Sequence, residues 1–288
     1  MAKQELSLKN ALKQDAIAKR GIFSYDLLTT YKARFQLLES ELEAVLLEVA
    51  AEFATPPISH FYVGAIAWDD KSGQAFLGAN LEFSHQALSL VVHAEQAAIN
   101  NAWLNGAAEI SRMTINAAPC GFCRQFMNEL STAKELDILL PSGKTTLNAL
   151  LPTSFGPDDL DNQEKLFAQH PHSEAVLGLP ATISDKLYQH YLASYCPYTK
   201  NRSAVEITLA TGERFFGRYA ENAAYNPSLS PLQSALSQLA MSGRTLLDAD
   251  VESITLVEKR GKANQHAVSL AVLSAYDAQN LLRHVEIE

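Results

Sequence analysis

Apolar positions recur at three- and four-residue spacings over the first fifty residues. The clearest stripe is Leu37, Leu38, Leu42, Val45, Leu46, Val49 and Phe53, set against Glu41, Glu43 and Glu48. That period is the period of a helix with one face buried, so residues 1 to about 54 read as helix. Thr55-Pro56-Pro57 ends it, because proline lacks an amide hydrogen and disfavours helix in the residue before it.

Beyond the prolines the texture changes. Phe61 to Trp68 reads as a strand, Asp69-Asp70-Lys71-Ser72-Gly73 as a turn and Gln74 to Gly78 as the partner strand. A helix from about His93 to Asn105 closes at Gly106. Met113 to Ala117 reads as a short strand, Gly121 to about Leu130 as a helix, and Asp137 to Leu140 as a strand. The order β-β-α-β-α-β predicts an α/β fold, a sheet covered by helices. From about Leu151 to Asp185 the chain is more polar, with Pro152, Gly156, Pro157 and Pro180, and reads as a linker; within it Phe155 is large and apolar and is expected to be buried.

The last hundred residues repeat the pattern. Pro57 to Ala65, followed by Phe76-Leu77-Gly78-Ala79-Asn80-Leu81-Glu82-Phe83, has a counterpart in Pro197 to Val205 followed by Phe215-Phe216-Gly217-Arg218-Tyr219-Ala220-Glu221-Asn222. In each, a proline-led strand and an aromatic-glycine strand end precede an x-Glu-x element. The second copy then continues Leu229-Ser230-Pro231-Leu232-Gln233, with no His, Glu or Cys where the first has a cluster of them. A duplicated second copy of this kind binds no zinc and serves packing or the shaping of a site.

Composition narrows the function. The 288 residues carry a net charge of −9, and 47% are hydrophobic. A protein that follows a phosphate backbone usually shows a basic stripe, so the acidic balance weighs against nucleic acid and for a small ligand. No apolar run approaches the roughly 20 residues of a membrane span, and the first residues lack a signal-peptide core, so a cytoplasmic protein is expected. Three cysteines, two of them in one C-x-x-C, do not make a secreted disulfide framework.

Two short motifs carry the chemistry: His93-Ala94-Glu95 and Pro119-Cys120-Gly121-Phe122-Cys123. Two thiolates and an imidazole make a three-ligand zinc site with the fourth tetrahedral position open. Both motifs begin predicted helices, where free amides and the helix dipole favour thiolate. Glu95, two residues past His93, is placed for general acid–base work on a water molecule. The alternative is a structural zinc ion stapling an interaction protein, and Glu95 is the residue that separates the two readings.

H-x-E followed by P-C-x-x-C is the signature of zinc nucleobase deaminases, and the chain resembles cytidine deaminases of the longer bacterial type, with a degenerate second copy. The resemblance is densest at Asn80 to Phe83, Val92 to Gln96 and Ala118 to Leu130, and continues through Phe155-Gly156-Pro157 and Tyr219 to Pro227. It implies a three-layer α/β/α sandwich, duplicated: a helical segment at 1–54, a catalytic zinc domain at 55–151, a linker at 152–185 and a zinc-free domain at 186–288. It also implies one Zn²⁺ per chain, held by His93, Cys120 and Cys123, with Glu95 catalytic. Asn80 and Glu82 are then expected on the ribose 3′-hydroxyl, Phe61 against the pyrimidine, the Ala118 carbonyl on the amine and Phe155 closing the pocket. The implied partners are a nucleoside and a second copy of the chain, with sites near the interface and Ala220 to Tyr225 reaching across. Phe122 stands where related sequences often have histidine, and the turn from Trp68 to Gly73 is one residue longer; neither change removes a metal ligand.

Overall fold

A computed structural model of the chain describes residues 2–168 and 183–287. The first half runs α1 (Ala2–Ala18), β1 (Ile22–Phe23), α2 (Tyr25–Phe35), α3 (Glu39–Ala51), β2 (Gly64–Asp69), β3 (Gln74–Ala79), α4 (Ala94–Leu104), β4 (Arg112–Ile115), α5 (Gly121–Met127), β5 (Asp137–Leu140), β6 (Gly143–Thr146) and α6 (Leu147–Leu150). The second runs α7 (Asp185–Leu192), β7 (Ser203–Leu209), β8 (Arg214–Arg218), α8 (Pro231–Met241), β9 (Val251–Lys259), α9 (His266–Ser274) and β10 (Leu282–Ile287).

The two sheets share one plan. Strand order is β1-β3-β2-β4-β5-β6 in the first and β10-β9-β7-β8 in the second. In each, an antiparallel hairpin (β2/β3, β7/β8) lies beside an antiparallel strand (β4, β9), which pairs in parallel with the next (β5, β10). Alternation along β2 builds the layers, since successive side chains point to opposite faces of a sheet. Ala65 and Ala67 face α4 and α5, whereas Ile66 and Trp68 face α1 and α3. In β7, Val205 and Ile207 face α8 and α9, and Ala204 faces α7. The inner faces of both sheets, with α4, α5, α8 and α9 between them, make one continuous apolar core. The fold is α/β, with helices on both faces of each sheet.

Two positions set how closely helix and sheet approach. A Cβ at Gly78 would lie 2.0 Å from the Ala98 nitrogen of α4, and one at Gly217 would lie 2.2 Å from the Ala235 nitrogen of α8. No side chain fits either place. The two glycines occupy the same position in the two copies and let the α4 and α8 backbones rest on the strands.

Several elements differ from the sequence reading. Residues 1–54 form three helices with breaks. Arg20 and Gly21 adopt φ of 52° and 75°, and Gln36 adopts 56°; Ser24 restarts the chain as the cap of α2, its side chain accepting from the Leu27 amide. Leu38 lies before α3 and is exposed, its amide donating to the Glu41 carboxylate. Glu43, expected on the solvent face, is buried: Arg112 of β4 pairs with it at 2.7 Å and the Thr114 hydroxyl donates to it. The predicted strand at Phe61 begins at Gly64, because the Asn80 side chain ties up the Phe61 carbonyl and the Val63 amide. The predicted strand through Ala117 stops at Ile115, and the predicted helix through Leu130 stops at Met127. Of the predicted linker, a short helical turn covers Pro157–Leu160 and Leu166 bridges to Leu130; Pro180 lies outside the described residues.

Gly78→Ala and Gly217→Ala each force a helix off its sheet. Overpacking of this kind costs about 1–3 kcal/mol. Urea unfolding of the two variants is expected to show midpoint losses of similar size, although only Gly78 lies in the copy that carries the C-x-x-C pair.

Candidate metal centre and substrate cavity

His93 is the N-cap of α4 and Cys120 the N-cap of α5, so both stand where the first amides of a helix are free. Cys123, one turn into α5, is fully buried. The Cys120 sulfur lies 3.5 Å from the Cys123 sulfur and 3.7 Å from His93 Nδ1. Tetrahedral zinc with metal–sulfur and metal–nitrogen bonds of about 2.3 and 2.0–2.1 Å requires separations of roughly 3.8 and 3.6 Å. The donor set therefore fits zinc in both identity and spacing. Among the described residues this is the group of metal-ligating type whose donor atoms converge. At the matching helix starts the second copy has Ser230 before α8 and Gln265 before α9.

The ring of Phe122 stacks on His93, with centroids 5.0 Å apart and planes within 24°. Phe122 thus covers the imidazole on one face and leaves the cysteines in place.

A cavity of about 420 Å³ opens on this cluster. Phe61, Asn80, Glu82, His93, Glu95, Ala118 and Cys120 all line it, together with Ser59 and Val63. Its size lies within the range typical of small-molecule sites. Glu95 is 4% exposed and burial raises its carboxyl pKa. A carboxyl that holds a proton more readily is suited to passing one on. Glu82 is tuned the other way: burial alone would raise it, but the Ser59 hydroxyl and the Ser59 and Ile58 amides hold it below the usual carboxylate range.

Phe155 is not in this cavity. Gln125 and Asn128 both donate to its backbone carbonyl, which fixes the main chain against α5 and leaves the ring 49% exposed. The expectation that Phe155 is buried does not hold within a single chain. Phe61 is also largely exposed, at 60%.

A larger cavity, of about 770 Å³, shares no residue with the first and is lined by Lys165, Lys200, Arg218 and Lys259 among others. Its volume is greater, but it contains none of the converging donors, and chemistry decides between the two.

Family comparisons agree with the geometry. Two models described as "Cytidine and deoxycytidylate deaminase zinc-binding region" match residues 39–136 and 147–270. A cytidine deaminase of Aeromonas hydrophila is 45% identical over 264 residues, covering 90% of this chain and 88% of that one. One from Actinobacillus pleuropneumoniae is 43% identical over 267 residues, covering 92% and 87%. This chain belongs to the cytidine and deoxycytidylate deaminase family. Among solved structures, a cytidine deaminase from Mycobacterium tuberculosis is 32% identical, covers 38% of this chain and 91% of its own, and has a TM-score of 0.35.

The deaminase also holds residues that the sequence reading missed. Ser59 secures Glu82. Glu129, buried after α5, accepts from the Tyr195 and Tyr198 hydroxyls and from the Ala223 amide, joining the cysteine helix to the second copy. Nothing in the spacing of Glu129 marks it, because its partners lie more than sixty residues away in sequence. Glu221 repeats the bonding of Glu82, accepting from the Tyr198 and Thr199 amides and the Thr199 hydroxyl. The shared x-Glu-x element therefore has a turn-holding role common to both copies.

In the zinc-free deaminase the three thiols separate by reactivity. The hydrogen bond between the two sulfurs, with the nearby His93, lowers Cys120 to about 3, whereas Cys123 is raised by the same contact and by burial, and burial pushes Cys196 up to about 11. Iodoacetamide at pH 5–6 is expected to alkylate exposed Cys120 alone in protein stripped of zinc, and to leave it untouched in zinc-loaded protein. Peptide mass spectrometry reads the outcome; equal labelling of Cys196 would contradict this ordering.

Proposed function

We propose that this chain carries out the zinc-dependent hydrolytic deamination of cytidine and deoxycytidine to uridine and deoxyuridine, in pyrimidine salvage, as a cytoplasmic homodimer. The observation that carries the reading is one cavity lined by His93, Cys120, a buried Glu95, Asn80 and Glu82, with the Cys123 sulfur 3.5 Å behind Cys120.

His93, Cys120 and Cys123 hold one zinc ion, which supplies the Lewis acidity that makes water a nucleophile near neutral pH. Glu95 accepts the proton of the attacking water and delivers protons to the ring N3 and to the departing amine. Attack at C4 gives a tetrahedral carbon, and ammonia leaves. The Ala118 carbonyl accepts from the amine and steers it toward Glu95. Phe61 packs on the pyrimidine. Asn80 and Glu82 take the ribose 3′-hydroxyl, and an analogue without that hydroxyl leaves them unpaired in the closed site. The Asn80 side chain, already bonded to the main chain at Phe61 and Val63, couples ribose recognition to the position of the Phe61 ring.

The catalytic unit is 55–151, with 1–54 packed on it as a helical segment, 152–185 as the connection and 186–288 as the zinc-free unit. The dimer reading is supported by apolar side chains left open in the single chain: Phe61, Phe155 and Tyr225 are 60%, 49% and 64% exposed. Phe155 closes the pocket of the assembled pair, and the segment around Ala220 to Tyr225 reaches the partner's site. No helix among the described residues is long and apolar enough to cross a membrane.

Glu95→Gln is expected to keep one zinc ion per chain and to lose about 10²–10⁴-fold in kcat. Metal analysis and the fall of the cytidine absorbance band, run on the same samples, check both; full activity in Glu95→Gln would reject the proton-transfer role. Solution mass across a range of protein concentrations is expected to stay at twice the chain mass, and a fully active monomer would reject the shared site.

A further inference from the structure

The start of α4, which holds His93, is bonded to the zinc-free copy from two sides. Gln96, at the third position of α4 and 1% exposed, accepts from the His93 amide with its oxygen (3.2 Å) and donates to the Pro227 carbonyl with its nitrogen (2.9 Å). Gln233, at the third position of α8, donates to the Leu90 carbonyl (3.1 Å). The exchange is reciprocal. Each glutamine lies three residues after its helix cap, His93 or Ser230, and each reaches the carbonyl three residues before the other cap.

The second half of the exchange is lopsided. Gln96 also caps its own helix, but Gln233 is buried with its side-chain oxygen unpartnered, and the Ser230 hydroxyl at the α8 cap is buried without a partner as well. A buried amide oxygen without a donor costs stability. The local capping bond at Gln233 is missing, whereas the bond that crosses to the zinc-bearing copy is present.

We infer that Gln96 and Gln233 are positioning residues for the zinc ligand His93, and that holding this segment is a function of the zinc-free copy. The inference rests on the reading of His93 as a metal ligand. The main chain from Leu90 to His93 is fixed at both ends of the step that delivers the imidazole: Gln233 holds the Leu90 carbonyl and Gln96 holds the His93 amide, itself anchored at Pro227. Val92, between them, pairs with Leu81 in both directions at 2.9 Å, and this ties the same segment to the strand end that carries Asn80 and Glu82. Outer-shell partners of a metal ligand are typically worth 10–100-fold in metal affinity, and Gln233 acts in that way across an interface between the copies.

The test compares Gln233→Met, which keeps length and volume but not the donor, with Ser237→Ala. Ser237 lies on the same α8 face and accepts from Asn100 Nδ2 at 2.9 Å, so its loss weakens the α4–α8 contact without touching residues 90–93. Zinc release from the full-length zinc-loaded enzyme into excess chromogenic chelator is expected to be about tenfold faster in Gln233→Met. Its kcat is expected to fall while KM for cytidine stays within about twofold. Ser237→Ala is expected to lower the melting temperature but release zinc at the wild-type rate. If zinc release in both variants simply follows their loss of melting temperature, or if Gln233→Met matches wild type, the positioning role is overturned. If wild type holds no zinc, or His93→Ala retains it, the reading of the site fails and the inference falls with it. A second measurement needs no variant. On zinc removal, hydrogen exchange at residues 88–93 and at 227–233 is expected to accelerate together, and acceleration confined to the first copy would also overturn the inference.

Discussion

The backbone of α4 lies directly on β3 at Gly78, and the rest of the site depends on that contact. Because the strand presents no Cβ there, the helix descends until the Ala98 nitrogen occupies the space a side chain would take. Ala94, Ala97, Ala98 and Ala102 continue the same close fit. The consequence for chemistry is positional. His93 caps that helix and Glu95 sits in its first turn, so the depth of the helix sets their depth beside the strand ends that carry Asn80 and Glu82. A bulkier strand residue would move Glu95, His93 and the cavity wall together.

Repetition of this contact at Gly217 explains how the second copy persists without ligands. Packing and chemistry are separable there: α8 needs small residues and a glycine beneath it, not a histidine or a cysteine. What α8 adds is a polar seam against α4. Asn100 donates to the Ser234 carbonyl and the Ser237 hydroxyl, and the Ser234 hydroxyl donates back to Asn100. Buried polar seams of this sort give little net stability per bond, but they permit one register of the two helices. The second copy thus fixes where the helix carrying His93 and Glu95 stands.

Much of the site was legible because its residues belong to short, chemically unusual patterns. His93 with Glu95, and Cys120 with Cys123, are close in sequence, so their spacing alone predicts helix starts with donors facing one point. The strand–helix order and the duplication were readable for the same reason. What the sequence hid depends on distant partners. Glu43 lies in an apparently solvated helix face, and only the arrival of Arg112 from β4 makes its burial tolerable. The breaks at Gly21 and Gln36 lie before the stripe from Leu37 to Phe53, which belongs to α3 and its flanks alone, so that periodicity says nothing about where the preceding helices end. Size alone marks Phe155 as core, but its main chain is held against α5 at the carbonyl by Gln125 and Asn128 and its side chain stays exposed in the single chain. Gln96 could have been found: glutamine three residues after a helix cap is a capping pattern. Gln233 could not, since its partner is 143 residues away.

Charge balance accounts for the remaining feature, a buried carboxylic acid beside two sulfurs. Without metal, the cluster settles by sharing protons: Cys120 is lowered to about 3, Cys123 is raised well above an ordinary thiol, and Glu95 is raised by burial. Negative charges this close together disfavour one another's ionisation. A divalent cation held by His93, Cys120 and Cys123 would change the arithmetic, because two thiolates and Zn²⁺ sum to zero and would leave Glu95 as the neighbouring group free to change its charge. Loading the site would therefore expel the proton of Cys123, coupling metal affinity to pH. It would also offset the sulfur-borne negative charge beside Glu95, whose carboxyl burial holds above its ordinary pKa. The same burial that disfavours an anion at Glu95 in the empty cluster would suit that carboxyl to taking up and giving back a proton once a cation sits beside it.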